Sequence, residues 1–409
     1  MNGNFDLDPG EEPGKDNEMI YEHQKNSRRR DSDSEDCPYT KQARNEETGK
    51  QTTENHTYGT VTQGKTHLVP HGCVKLKHTE DSLLILWGPA AICSGHSFSA
   101  MAPLEGVPCQ LVRIMECKQG AVRAVRFNVD GEYCMSCGSD KSVKLWNPHK
   151  GTLLHTYAGH GYEVLDARGS SDNSLIGSCG LDKSVMMWNV GTGECLRKFR
   201  GHAARVNCVC FNEESTVIFS GSMDGSVRVW DLRSRRNEPI QVLDEAKDAV
   251  MTVSVSAHEI LTSSLDCYTR VYDLRNGKLM SNCIGESVTC ATFSGDGQCI
   301  LASTMGSSLR LMDKETGELL SHYTGHSSKD YKVESCFTSS DTHVMSGSED
   351  GYVYCWDLVK GTLYLKLEHK GSRVVHSLSP HPTESYLLTA TLGQMWFWSA
   401  EPQEEQENA

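Results

Sequence analysis

Three stretches of the chain set a histidine, a serine, an aspartate and a tryptophan in one order: His160, Ser178, Asp182, Trp188; His202, Ser220, Asp224, Trp230; and His326, Ser346, Asp350, Trp356. Serine, histidine and aspartate are the residue types of a hydrolase triad, in which the imidazole takes the hydroxyl proton and the carboxylate orients the ring. A catalyst needs one such set. Here there are three, and serine, aspartate and tryptophan keep the same spacing in each. No G-x-S-x-G elbow exposes a nucleophile, and no glycine-rich phosphate loop leads into a helix. The other use of these types is structural: a buried carboxylate accepts from the imidazole, the hydroxyl engages the far side of the ring, and the indole N–H finds an acceptor. An enzyme is therefore not expected, nor a cofactor or metal.

Cysteine chemistry fares the same way. Cys134 and Cys137 form a C-x-x-C, but an odd separation on a strand points the two thiols to opposite faces, where they cannot share a metal. Cys208 and Cys210 would share a face, yet no second pair of ligands follows at a matching spacing. With 17 cysteines, an odd number, not all can pair within one chain, and free thiols of a reducing compartment are expected.

The element that must carry these residues is visible in Ser220–Asp231, SGSMDGSVRVWD. A turn at Asp224-Gly225 leads into the alternating strand Val227-Arg228-Val229-Trp230, the pattern of a half-buried sheet. The stretch recurs. Its anchor falls at Trp146, Trp188, Trp230, Tyr272, Met312, Trp356 and Trp398, at intervals of 42, 42, 42, 40, 44 and 42 residues. Gly-His pairs precede three of the anchors, at Gly159-His160, Gly201-His202 and Gly325-His326.

On these residues the chain resembles the WD-repeat family, whose repeats of about 40–45 residues each form a four-stranded blade of a β-propeller. The resemblance implies an all-β, seven-bladed propeller in which the histidine, serine, aspartate and tryptophan sets are the family's structural tetrads. It also implies closure of the ring by an N-terminal strand, Leu111–Met115, pairing with the last strand near Gln394–Trp398. Blade four has Asp244 where a histidine would stand. Blade five, with Ala302, Gly306 and Met312, has lost every polar member. Blade six regains all four, with two extra residues around Ser328-Lys329-Asp330, and blade seven is degenerate.

The repeats divide the 409 residues into a low-complexity, disordered extension (1–108), the propeller (109–400) and a short acidic tail (401–409). The first 66 or so residues are nearly free of Val, Ile and Leu and cannot offset the entropy of ordering. Met101 lies just ahead of the propeller, so the first 100 residues read either as an isoform-specific extension or as a stretch the native protein lacks. The opening MNGNFDLDPGEEPGKDNE has neither a basic n-region nor an apolar core, and a secretory leader is not expected. With a net charge of −14 and no large basic surface implied, direct nucleic-acid binding is not expected, and no apolar run is long enough to insert in a membrane.

Two sets of residues point to partners. The aspartate of each b–c turn must lie at the same end of the ring as the histidine it meets, so the residue before each aspartate lines that rim. Four consecutive blades place Leu181, Met223, Leu265 and Met305 there, where turn residues facing water should be polar. The starts of the inner strands add Arg123, Glu163, Arg205, Met251 and Tyr331, a mixture suited to a protein hot spot. Either these side chains form a contact surface or they fold over their own blades. At the other turns, Trp230-Asp231-Leu232-Arg233, echoed in Tyr272-Asp273-Leu274-Arg275, resembles the WD-x-R box of cullin-RING ligase substrate receptors, which makes Arg233 and Arg275 a candidate adaptor dock.

Stretches such as AVRAVRFNVDGEYCMSCGSDKSVKLWNP and KFRGHAARVNCVCFNEESTVIFSGS are further similar to one group of WD-repeat scaffolds. That resemblance implies a cytoplasmic and nuclear scaffold for components of the extracellular-signal-regulated (MAP) kinase cascade, also found in the spliceosome. The alternative is a substrate receptor of a cullin-RING ubiquitin ligase.

Overall fold

Val227 and Val229 bury one face of the strand Val227–Asp231 and Trp230 is buried on the other, and the strand pairs antiparallel with Val217–Ser222, Trp230 opposite Ile218. Gly225 takes a φ of 80° in the turn between them, a conformation that glycine adopts without strain. The computed structural model of the protein describes residues 106–372 and 374–400. Among these, 27 strands form five four-stranded antiparallel sheets and one seven-stranded sheet.

The seven-stranded sheet is two blades joined by one long strand, Gln110–Phe127. Its first half is the outer strand of blade seven, pairing Leu111 with Trp398, Ile114 with Trp396 and Met115 with Met395. Its second half is the inner strand of blade one, pairing Val125 with Ser136 and Phe127 with Cys134. First and last repeats thus share a strand, and no blade is left with an unpaired junction. Seven blades of an all-β propeller result, as the resemblance implied.

The core lies between neighbouring blades. Ala124, Met135 and Val143 of blade one pack with Val164, Ile176 and Trp188 of blade two, and the same alternation repeats around the ring. Phe199 and Phe397, each 1% exposed, contribute about 1.5–3 kcal/mol apiece by leaving water. Cys134 and Cys137 do fall on opposite faces, the first packing toward blade seven and the second toward blade two.

One boundary differs from expectation. Val107, placed by sequence in the extension, is fully buried against Met345, Leu378 and Trp398, so the ordered chain begins ahead of residue 109. Val107 is apolar but belongs to no repeat, and periodicity cannot register it. The rest of the expected extension and the acidic tail, residues 1–105 and 401–409, lie outside the described residues.

Candidate protein-contact face

The polar sets fix which end of the ring is which. In blade two the His160 ring meets Asp182 Oδ1 at 3.1 Å through Nδ1 and Ser178 Oγ at 2.7 Å through Nε2, while the Trp188 indole donates to the same hydroxyl at 2.8 Å. Blade three repeats this with His202, Asp224, Ser220 and Trp230 at 3.0, 2.8 and 2.9 Å. Every group is satisfied when Nδ1–H donates to the carboxylate and Nε2 accepts the serine proton. Burial works against ionisation of Asp182 and Asp224, but the hydrogen bonds from histidine and from Ser184 or Ser226 outweigh it and hold both carboxyls well below their usual range. Ser178 and Ser220 are fully buried and spent on this frame, out of reach of any substrate.

Blade six does not close its set. The expected partners His326, Ser346, Asp350 and Trp356 are present, but both ring nitrogens of His326 are buried without a hydrogen bond. Tyr354, stacked on Trp356 at 5.7 Å, donates its hydroxyl to Asp350 at 2.7 Å and takes the carboxylate the histidine would use. Ser346 turns to the Gly347 carbonyl, and the Trp356 indole to the Thr324 carbonyl. Conversely, blade one has a working set without a histidine. Gln119 donates to Asp140 at 3.2 Å and accepts from Ser136 at 2.5 Å, and Trp146 donates to Ser136 at 2.9 Å. In blade seven His369, Thr389 and Trp398 make three of the four members, with contacts of 2.6 and 3.1 Å to the threonine hydroxyl.

Because these bonds tie each b–c turn to the loop entering the inner strand, both lie at one end, the mouth of the ring. A recurring backbone bond locks the turn residue beside that entry: Leu181 N to Glu163 O, Met223 N to Arg205 O, Leu265 N to Ala249 O and Met305 N to Ser287 O. Eight of the nine rim residues chosen from sequence line two adjoining cavities at the mouth; Glu163 joins them through an ion pair of 2.9 Å with Arg123.

They are not equally available. Met251 (5% exposed) and Leu265 (9%) form the floor of an apolar cluster with Ala249, so of the two alternatives Leu265 takes the second and folds over the blades instead of facing water. Met223 and Met305 cap that cluster and remain half-buried. The mouth therefore has two parts, the Arg123–Glu163 pair on one side and the methionine-capped patch of blades three to five on the other, with Arg205 and Lys332 lining both cavities between them. Tyr331 is held at the edge by the extra residues of blade six, where Glu349 Oε1 accepts the backbone N–H groups of Lys329, Asp330 and Tyr331 at 2.7–2.9 Å.

Sequence reasoning missed Leu165, Asn207, Lys332 and His376 in the lining. Leu165 and Asn207 sit on a bulge that Arg123 and Met251 share, two positions beyond the Glu163 and Arg205 chosen in their blades. Pairing of the inner strand skips Arg123 in blade one, Leu165 in blade two, Asn207 in blade three and Met251 in blade four, and the skipped side chain is turned into the mouth. Tyr162, 63% exposed beside the Lys141 ammonium, also stands on this end and went unnoticed. Arg233 and Arg275 extend from the c–d turns at the opposite end, their side chains 73% and 64% exposed and leaning on Asp231 and Asp273.

Below the mouth, the inner strands carry a buried ion network. Arg126 grips Glu334 with two bonds of 2.7 and 2.6 Å, meets Asp166 at 2.9 Å and donates to Ser377 at 2.8 Å. Among the described residues no group of three or more histidine, cysteine or acidic side chains is placed to hold a metal.

Four repeats, residues 109–147, 151–189, 193–231 and 317–357, match the family description "WD domain, G-beta repeat". The chain belongs to the WD-repeat family of β-propellers. Within that family it is similar to WD repeat domain-containing protein 83: it is 63% identical to the human protein over 303 residues, which is 74% of this chain and 96% of that protein. The zebrafish protein (Danio rerio) is 61% identical over 302 residues, again 74% and 96% of the two chains. A Dictyostelium discoideum homolog of the same name is 32% identical over 307 residues, covering 68% of this chain and 94% of its own.

Proposed function

We propose that the protein is a non-catalytic scaffold whose mouth face captures protein partners, and that it serves the extracellular-signal-regulated kinase cascade, with a second place in pre-mRNA splicing, in the cytoplasm and nucleus. The observation that carries the contact face is the convergence of arginine, tyrosine and methionine side chains from blades one to six on one rim. The larger mouth cavity, about 90 Å³, is well below the ~300–1,000 Å³ of small-molecule sites, which favours a protein ligand over a metabolite. A rigid ring that holds several proteins at once raises their effective concentration without chemistry of its own. Affinity purification of the tagged full-length protein with mass spectrometry tests this reading: kinases of the cascade should co-purify together, and their absence refutes the cascade assignment.

A second reading, a ubiquitin-ligase substrate receptor, is favoured by the exposure of Arg233 and Arg275 at the other end of the ring. It requires that a ligase adaptor co-purify and be lost on Arg233→Ala and Arg275→Ala.

A further inference from the structure

Each inner strand ends, at the end of the ring away from the mouth, on a position that packs against the preceding blade. Strand register aligns it: Phe127 pairs with Cys134, Phe211 with Ile218, Phe293 with Ile300 and Phe337 with Val344. Phenylalanine fills it in these four blades, and blades two, four and seven have Gly169, Val255 and Pro380 there. Phe127 packs with Leu388, Phe293 with Leu261 and Phe337 with Leu301, while Phe211 lies over Gly177, where an added Cβ would come within 3.1 Å of the ring.

The three exceptions are handled differently. Val255 is small, but it meets Phe219 of the preceding blade, so the ring has only changed sides. Pro380 meets Met345, and the chain itself supplies the missing bulk there with the fully buried Val107. Gly169 meets Met135, and nothing among the described residues makes up the difference. A Cβ on Gly169 would lie 3.7 Å from the Met135 methyl with no nearer neighbour. The space left open is a crevice of about 340 Å³ between blades one and two, walled by Leu145, Leu175 and Val190, with Tyr133 and Leu154 at its lip, 40% and 48% exposed.

The crevice has a charge as well as a shape. Its one charged lining residue is Asp130, whose Oδ2 accepts the Asn173 amide at 2.8 Å, and the exposed Glu132 and Asp172 stand on the same two turns. We propose that this crevice is a docking site for a phenylalanine side chain in an extended segment of a partner protein, with lysine or arginine flanking the phenylalanine. The ring occupies the place that blades one, three, five and six fill from within, as Val107 does between blades six and seven, and the flanking cation meets the acidic turns. The site lies at the opposite end from the mouth and stands or falls independently of it.

The test fills the crevice from inside. Gly169→Phe restores the blade's own ring at a backbone position without positive φ, and Gly169→Ala leaves the space open. Full-length protein with labelled methyl groups is titrated with a pentapeptide carrying phenylalanine between lysine and arginine, with the same peptide carrying alanine in its place, and with one flanked by two glutamates. The expected result is saturable shifts at the Met135 and Leu154 methyls with the first peptide in wild type and Gly169→Ala, weakened about tenfold or more by either peptide change and by Gly169→Phe. Thermal unfolding should place Gly169→Phe at or above wild type, which separates filling from misfolding. Equal binding by Gly169→Phe, equal shifts from the phenylalanine and alanine peptides, or no shift at millimolar peptide overturns the proposal.

Discussion

Arg126 of blade one and Glu334 of blade six close on each other across the centre of the ring with two hydrogen bonds of 2.7 and 2.6 Å, although 208 residues separate them. Both are buried, and Asp166 completes the group at 2.9 Å from the same guanidinium. Breaking a buried pair strands its partner, so Glu334→Leu should cost about 3–5 kcal/mol in urea unfolding. Arg126→Met should cost a similar amount, and the double variant clearly less than the sum. Additive losses would mean that the two do not act as a pair.

The same pair sets an acid limit. Burial pushes the Glu334 carboxyl up, but Arg126 outweighs it and holds the group at about 2, below its ordinary 4.5. A lowered folded-state value contributes stability that is complete above 4.5 and is lost as pH falls toward 2. Glu334→Gln should flatten that part of the stability–pH curve, read from unfolding midpoints between these limits.

Two buried histidines, His326 and His369, and the half-buried His376 of the mouth act in a different window. Burial lowers His326, His369 and His376 to about 4 from the ordinary 6.5. Each stays neutral in the folded protein while the unfolded chain takes up its proton, so stability should fall as pH drops from 6.5 and level off near 4. His326→Leu should remove its share of that slope; an unchanged slope would contradict the assignment of His326 as a buried neutral ring.

The tetrads predict unequal costs for one substitution. His202→Leu leaves Asp224 and Ser220 without their ring and should lose about 1–3 kcal/mol. His326→Leu breaks no hydrogen bond and should stay within about 1 kcal/mol of wild type at pH 8, the difference being read by urea titration.

That contrast shows what the sequence could convey. The ring and its seven blades were legible because Trp146, Trp188, Trp230 and their equivalents recur at nearly one period, and the frames of blades two and three because their members keep fixed offsets. Spacing does not report competition in space, so Tyr354 taking Asp350 from His326 was invisible. Gln119 escaped because the position was read for histidine, whereas the frame needs only a donor beside an acceptor, which an amide supplies. Asn207 and Leu165 escaped because Arg205 and Glu163, two positions earlier, were taken as the inward residues of their blades, whereas the bulge aims the same position as Arg123 and Met251 into the mouth. Arg126, Asp166 and Glu334 did leave a signal, charged residues inside or directly ahead of the buried inner strands, which the repeat signature overshadowed.

The mouth as a protein-contact face is tested most directly by quantitative affinity purification of the full-length protein beside a variant carrying Met223→Asp, Met305→Asp and Arg205→Glu. Met251 and Leu265 are left intact so that the floor stays packed, and matched unfolding midpoints establish that the ring is sound. A set of proteins enriched by wild type should fall together, by about tenfold or more, in the variant. Recovery of the same proteins in the same amounts by a folded variant would contradict it.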